Sequence, residues 1–136
     1  MNGMNEINIR IKNKTYILKN IIDDDCIFIF TNGYCGNFAY ILNKFIQGLS
    51  MGYIYNNTYR EIDHWYLYSK TTNLYYDIRG KQTQSDIIKN IYNNINMNDI
   101  KFVYDITEEE YNSIGLWSHE NDKFVYNIIL DYIGKL

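Results

Sequence analysis

Apolar residues near the start of the chain recur at the spacing of a helix with one buried face. Beginning at Cys35, the i, i+3, i+4, i+7 pattern comprises Phe38, Ala39, Leu42, Phe45 and Ile46. Gly48 predicts the end of this helix. A thiol in the first turn lies beside unpaired N–H groups and the positive end of the helix dipole, which favour the thiolate. Gly33 and Gly36 flank Cys35 and are expected to leave the backbone open to a substrate.

Short apolar and alternating segments predict strands on both sides of this helix. Residues 7–11 alternate between isoleucine and polar side chains, and residues 16–18 are apolar after a polar pair, which predicts a strand or a small hairpin. Residues 23–25 are three aspartates and are expected to form a solvated turn. The apolar run at residues 26–30 predicts a buried strand in which Cys26 is a small core side chain. Further strands are predicted at residues 52–55 and 100–106.

Residues 61–68 and 74–80 are rich in aromatic and β-branched side chains and flank a short polar segment, which predicts a β-hairpin. A loop of residues 69–72 places Tyr68 opposite Asn73. In that register His64 lies opposite Asp77 on the same face, within hydrogen-bonding distance. A slip of one residue would turn Asp77 to the other face.

The rest of the chain predicts mainly helices. Ser85 is expected to cap a helix that carries Ile87, Ile88, Ile91 and Ile95. Thr107 and Glu110 form a capping box that opens a short acidic helix toward Trp117. A terminal amphipathic helix, predicted to end at Gly134, carries Phe124, Val125, Ile128, Ile129, Tyr132 and Ile133. We expect its apolar face to pack in the core, with a partner-binding face as the alternative.

Composition narrows the classes of protein that fit. A chain of 136 residues with 46% hydrophobic content predicts one domain, spanning residues 1–136. The net charge of −3 and the lack of a basic run argue against nucleic acid as a partner. Two cysteines without a pairing framework indicate a reducing compartment, and no metal-ligand spacing or cofactor motif is present. With no signal-peptide or membrane-spanning pattern, we expect a cytoplasmic protein without membrane association.

Cys35, His64 and Asp77 are the three residue types that a cysteine nucleophile requires. The thiol needs a base, and the base needs a third group that fixes its tautomer and orientation. Each has a structural alternative: the histidine is a hydrogen-bonded residue of a tyrosine-rich strand, and the aspartate pairs with Arg79 or caps a turn. Their joint placement on a helix start, a strand and the neighbouring strand favours a catalytic triad.

Three motifs resemble the core of the papain-like cysteine enzymes, particularly their transglutaminase-like branch. They are Gly-x-Cys-Gly-x-Phe-Ala-x-x-Leu at residues 33–42, His-Trp-Tyr-Leu-Tyr at 64–68 and Tyr-Asp-Ile-Arg-Gly at 76–80. The resemblance implies an α+β fold in which an N-terminal helix bearing the cysteine packs on an antiparallel sheet carrying the histidine and aspartate, with helices C-terminal to it. It also implies Cys35 as the thioester-forming nucleophile, His64 as general base and acid, and Asp77 as the orienting carboxylate.

The groups around this triad are less defined by the sequence. Papain-type proteases place a glutamine before the cysteine as an oxyanion donor, and here Asn32, or the backbone N–H groups of Cys35 and Gly36, would take that role. Tyr34 and Trp65 flank the site and are candidates for walls of an acyl pocket. His119 is a competing base in a polar stretch between two helices and is expected to be exposed.

The sequence therefore predicts a thiol-dependent acyl-transfer enzyme that acts on an amide or ester carbonyl of a protein or peptide. Protease, deamidase, amidase and transglutaminase outcomes all remain open, as does the oligomeric state. The alternative class is a non-catalytic protein-binding module on a papain-like scaffold, such as a phage or mobile-element inhibitor that binds a host protein through an acidic, tyrosine-rich surface. A virus-encoded protein would be located in the host cytoplasm.

Overall fold

The computed structural model describes residues 6–19, 21–32, 34–114 and 122–136. Within these ranges the chain has an α+β fold with an antiparallel sheet and several helices. The strands are β1 (Glu6–Ile11), β2 (Lys14–Lys19), β3 (Ser50–Asn56), β4 (Glu61–Ser69), β5 (Leu74–Asp77), β6 (Gly80–Gln82) and β7 (Ile100–Ile106). The helices are α1 (Asp24–Ile29), α2 (Cys35–Phe45), α3 (Gln84–Ile91), α4 (Glu108–Ile114) and α5 (Asp122–Lys135), with a 3₁₀ turn at Met97–Asp99.

Five strands form one sheet in the order β6-β5-β4-β3-β7, and each neighbouring pair is antiparallel. One face packs against α2 and α5 in a core that includes Leu42, Trp65 and Ile128. A second core contains Tyr66 of β4 and Ile87 of α3. Adjacent residues of β4 thus enter different cores, because successive side chains of a strand point to opposite faces. The predicted hairpin between β4 and β5 is confirmed as part of this sheet.

The N-terminal hairpin is a separate two-stranded sheet. β1 pairs with β2, and the turn consists of Lys12 and Asn13, which both have positive φ. The strand predicted from the alternating isoleucines is confirmed. Tyr16 of β2 stacks on Phe28 of α1 with ring centroids 4.3 Å apart, so the hairpin packs directly against the first helix.

Residues 26–30 were predicted to form a strand, and this prediction is wrong: most of them lie in α1. The Oδ1 atom of Asp23 accepts a hydrogen bond from the N–H of Cys26 at 2.9 Å and caps the helix. Asp24 and Asp25 lie in the first turn, where the helix dipole favours negative charge. Capping and charge outweigh the β preference of the isoleucine and phenylalanine side chains. Cys26 is fully buried, as predicted.

Two helix starts were predicted from capping residues, with different outcomes. α3 is capped by Thr83, whose Oγ1 accepts the N–H of Asp86 at 3.2 Å, so the prediction of Ser85 as the cap is wrong. The capping box at the start of α4 is confirmed. There Oγ1 of Thr107 accepts the N–H of Glu110 at 3.1 Å, and the Glu110 carboxylate accepts the N–H of Thr107 at 3.2 Å.

The two amphipathic helices α2 and α5 pack against each other and against the sheet. α2 ends at Phe45, earlier than predicted, and Gly48 has a φ of +86° in the loop that follows. α5 extends to Lys135, just beyond the predicted end. Among its residues from 125 onward, the buried ones are Val125, Ile128, Ile129 and Tyr132. In the part of the chain that the structure describes, none of the helices has the length and apolar character required to cross a bilayer.

Candidate active site

Cys35 is the first residue of α2 and therefore lies beside the N–H groups that have no partner within the helix. Tyr34 occupies the N-cap position and makes no side-chain capping hydrogen bond. The first turn carries no acidic residue, so no carboxylate offsets the positive end of the helix dipole. Cys35 is half-buried. This position favours the thiolate and leaves the residue accessible.

His64 lies where β4 is irregular. The pairing of β3 with β4 slips after Ile54, which is opposite His64, so that Asp63 is an extra residue on β4. A β-bulge of this kind bends the strand and redirects its side chains. On the opposite edge of β4, pairing with β5 begins only at Leu67. The segment of β4 around the imidazole is therefore open on that edge.

The imidazole of His64 is held by a buried carboxylate. Its Nε2 donates a hydrogen bond to Oδ2 of Asp77 at 2.9 Å, and the two side chains are only 1% and 3% exposed. Asp77 is fixed in turn by Arg79, whose N–H donates to Oδ1 at 2.8 Å and whose Nη1 lies 3.4 Å from Oδ2. The tight turn from β5 to β6 allows this contact, with Gly80 at a φ of +105°. Because a carboxylate only accepts, Nε2 carries a proton.

The observed register of this hairpin differs from the predicted one. Tyr68 pairs with Tyr75, whereas Asn73 was predicted as its partner. Asn73 instead closes the turn with a φ of 60°, a left-handed conformation that asparagine tolerates. The register moves by two residues, and such a move keeps every side chain on its face. His64 and Asp77 therefore still meet, as diagonal rather than directly opposed neighbours.

The thiol and the imidazole change each other's protonation. Burial lowers the pKa of His64, but hydrogen bonding to Asp77 and interaction with Cys35 outweigh it and raise the pKa to about 9. Burial raises the pKa of the Cys35 thiol, but the imidazole and the N–H groups of Trp65 and Gly36, which face the sulfur, outweigh it and lower the pKa. Between these two pKa values the pair consists of a thiolate and an imidazolium.

The second ring nitrogen of His64 is available to the sulfur, because Nε2 is bonded to Asp77. Nδ1 is buried and has no partner at regular hydrogen-bond geometry among the described residues. The contact between the sulfur of Cys35 and the ring is therefore looser than a standard hydrogen bond. Hydrogen bonds in active sites are often long in the absence of substrate and tighten when it binds.

Gly36 allows the start of α2 to approach β4. A Cβ atom at this position would lie 3.1 Å from Cδ1 and 3.3 Å from Nε1 of Trp65. The indole packs edge-on against Tyr53 and Tyr111, with ring centroids 5.0 and 5.1 Å away. At 9% exposure it is a core side chain. The close contact between Gly36 and Trp65 therefore holds the helix start against the sheet.

The predicted oxyanion donor Asn32 uses its amide within the protein. Its Nδ2 donates to the carbonyl of Phe28 and to Oγ1 of Thr31, each at 3.0 Å. Both amide hydrogens are therefore engaged at the end of α1. Of the two options that the sequence offered for an oxyanion donor, only the backbone N–H groups at the start of α2 therefore remain.

Tyr34 connects the first two helices. Its N–H donates to the carbonyl of Ile29 at 3.2 Å, and it is half-buried at the N-cap of α2. This backbone link fixes where α2 begins. Two other residues considered in the sequence, Gly33 and His119, lie outside the described residues.

Two further side chains lie next to the site, and neither was assigned to it from the sequence. Arg79 fixes Asp77, a contact that the sequence suggested only as an alternative to catalysis. Asp63 precedes the imidazole and, together with Arg79, lines a cleft of about 520 Å³. The sequence offers no signal that distinguishes Asp63 from Glu61 in the same strand.

No three His, Cys, Asp or Glu side chains within the described ranges are grouped closely enough to hold a metal ion. A scan against models of protein families finds no match, and searches of curated proteins and of solved structures find none either. What the site does must therefore be inferred from its own residues and their geometry.

Proposed function

We propose that this protein is a thiol-dependent acyl-transfer enzyme with a core of the papain-like, transglutaminase-like type. The observation that carries the proposal is the convergence of three side chains from three elements. His64 donates to Asp77 at 2.9 Å through one ring nitrogen, and its other nitrogen is available to Cys35, whose pKa is lowered. In the transglutaminase-like branch, too, a helix that bears the cysteine is followed along the chain by an antiparallel hairpin that carries the histidine and the aspartate.

The first half of the reaction forms a thioester. The Cys35 thiolate attacks the carbonyl carbon of an amide or ester, and the negative charge moves to the carbonyl oxygen. Backbone N–H groups in the first turn of α2 stabilise this oxyanion. The bond to the leaving group then breaks, and the leaving group takes the Nδ1 proton of His64. The products are an acyl group on the sulfur and a neutral imidazole.

The second half releases the acyl group. His64 accepts a proton from water or from an amine as that nucleophile attacks the thioester carbonyl. The carbon–sulfur bond breaks, and the thiolate and imidazolium are restored. Water gives hydrolysis, as in a protease, deamidase or amidase, and an amine gives transfer, as in a transglutaminase. The substrate class we propose is a protein or peptide.

Asp77 orients the imidazole through both halves. Its hydrogen bond to Nε2 leaves Nδ1 as the ring nitrogen that is available to the sulfur. The N–H and guanidinium of Arg79 hold the carboxylate in place. This arrangement supports a triad in which the aspartate positions the base and stabilises its charged form.

The test is intact mass spectrometry after incubation with a panel of thioester and activated amide substrates. We expect one acyl adduct, which peptide mapping places on Cys35, and no adduct in the Cys35→Ala variant. The Cys26→Ala variant is the matched control and should acylate as the native protein does. An adduct that persists without Cys35, or a panel that yields none, would contradict the proposal.

A further inference from the structure

The β-bulge in β4 lies directly before the imidazole of the proposed triad. Ile54 of β3 pairs with His64. The next residue of β3, Tyr55, pairs with Ile62, so Asp63 is the extra residue of β4. Because neighbouring residues of a strand point to opposite faces, the partners of Ile54 and Tyr55 do so as well. In a regular strand, residues two apart share a face. The bulge therefore determines how the imidazole is turned relative to the preceding part of β4.

Two donors from different elements hold the carboxylate of Asp63. Nδ2 of Asn56, at the end of β3, donates to Oδ2 at 3.0 Å, and the hydroxyl of Tyr92, at the C-cap of α3, donates to the same oxygen. Burial, followed by this hydrogen bond, raises the pKa of Tyr92, so its hydroxyl remains a donor at neutral pH. The extra residue is thus tied both to β3 and to α3.

Asn56 is itself fixed by the turn between β3 and β4. Its Oδ1 accepts the N–H groups of Thr58 at 2.9 Å and of Tyr59 at 3.0 Å, and the side chain is buried. These bonds fix the orientation of the amide, so that Nδ2 is directed at Asp63. A donor that is locked in this way holds its acceptor in one place.

We propose that Asp63 is a positioning residue for His64. Its carboxylate is the acceptor that fixes the bulge, and the bulge holds the imidazole between Asp77 and Cys35. This role rests on the acyl-transfer function, because it adds a residue to the same site. Such support is required on β4, since pairing with β5 begins only at Leu67 and does not hold the segment that carries the imidazole.

The test compares Asp63→Ala with Asp63→Asn. Both variants remove the charge, but only asparagine keeps a side-chain oxygen that can accept from Asn56 and Tyr92. The difference between the two variants therefore reports the loss of the acceptor, and an effect common to both reports the loss of charge. The measurement is the protonation midpoint of His64, followed by nuclear magnetic resonance of its ring signals as a function of pH.

The groups that raise the pKa of the imidazole are Asp77 of β5 and Cys35 of α2, and the native midpoint is expected at about pH 9. In Asp63→Ala the displaced ring loses these partners. We therefore expect its midpoint to lie at least about half a pH unit below that of Asp63→Asn. Circular dichroism checks that each variant is folded.

Two further variants make the outcome specific. Tyr92→Phe removes one of the two donors and should lower the midpoint by less than Asp63→Ala does. Should Asp63→Ala fail to fold, Tyr92→Phe provides the test, because it leaves the carboxylate in place. Glu61→Ala is the matched control, since it removes an exposed carboxylate from the regularly paired part of the same strand, and it should leave the midpoint unchanged.

Equal midpoints in Asp63→Ala and Asp63→Asn would overturn the proposal, because the effect would then be one of charge. A folded Tyr92→Phe variant with the native midpoint would overturn it as well. The titration requires no substrate and no turnover. A native protein that forms no acyl adduct would therefore refute the acyl-transfer function without changing this comparison.

Discussion

The two cysteines of this chain have similar local positions and opposite properties. Cys26 lies in the first turn of α1, and Cys35 begins α2. Burial, followed by repulsion from Asp23, raises the pKa of Cys26 to about 12. At Cys35 burial acts in the same direction, but its neighbours outweigh it and the pKa falls. Both thiols are near the positive end of a helix dipole, so the dipole does not decide the outcome.

The groups brought from other parts of the chain make the difference. The carboxylates of Asp23, at the N-cap of α1, and of Asp131, in α5, add to the effect of burial and raise the pKa of Cys26. The first turn of α2 carries no acid, and the imidazole of His64 faces the sulfur of Cys35. An activated thiol thus needs a partner that the tertiary structure supplies, in this case from β4.

The largest expected effect is on alkylation. In the native protein near neutral pH, iodoacetamide should modify Cys35 at least about a hundredfold faster than Cys26, because one thiol is activated and the other is buried and protonated. Mass spectrometry of digested samples over time measures both rates. Cys35→Ala should abolish the fast reaction, and Cys26→Ala should preserve it. If Cys35 reacts no faster than an ordinary thiol, the contrast between the two cysteines is wrong.

Replacing His64 tests whether the start of α2 is sufficient by itself. In His64→Gln the alkylation rate of Cys35 near neutral pH should fall about tenfold, because the imidazole no longer stabilises the thiolate. Circular dichroism provides the control that the fold is retained. An unchanged rate in a folded His64→Gln variant would assign the activation to the helix start alone.

The pH range of the charged pair depends on Asp77. The imidazolium is present below its pKa, so in the native protein it should persist until about pH 9 and be lost above that value. Asp77→Asn removes the negative partner and should move this transition to lower pH by at least about one unit. Ring signals of His64 followed by nuclear magnetic resonance report the transition. A midpoint that stays near 9 in the variant would exclude the proposed role of Asp77.

A smaller effect is expected where α2 meets the sheet. Alanine normally stabilises a helix relative to glycine by about 1 kcal/mol. Gly36→Ala should instead lower the free energy of unfolding by about 1 kcal/mol, because the added Cβ would lie 3.1 Å from the Trp65 ring. Gly134→Ala is the matched control, since a Cβ there meets nothing within 4 Å. Urea unfolding should show a lower free energy of unfolding for Gly36→Ala and a higher one for Gly134→Ala. Equal changes in the two variants would contradict the packing role of Gly36.

Local patterns in the sequence predicted most elements but not all of their types. The apolar spacing of Phe38 and Leu42 predicted α2, because a helical period needs only neighbours along the chain. The run that includes Cys26 was too short to distinguish a helix from a strand by its apolar residues. The hydrogen bond from the N–H of Cys26 to Asp23 and the acidic first turn stabilise a helix here. That signal is present in the sequence, but three consecutive aspartates are equally typical of a solvated turn.

The candidate site was predictable only in part. The contact between His64 and Asp77 was predicted correctly although the predicted register was wrong by two residues. A shift of two residues leaves each side chain on the same face of the sheet. The approach of the Trp65 N–H to the sulfur was not predictable. It depends on pairing between β4 and β5 that begins only at Leu67. The packing role of Gly36 was not predictable either, because it depends on the indole of Trp65, which is distant in the sequence.

The most direct test of the account is the ultraviolet absorbance of the thiolate, measured as a function of pH. We expect a thiolate signal that persists well below the pKa of an ordinary cysteine, about 8.5. It should disappear in Cys35→Ser and remain in Cys26→Ser. A signal that emerges only near that ordinary pKa, or one that is the same without Cys35, would contradict the presence of an activated thiol in this protein.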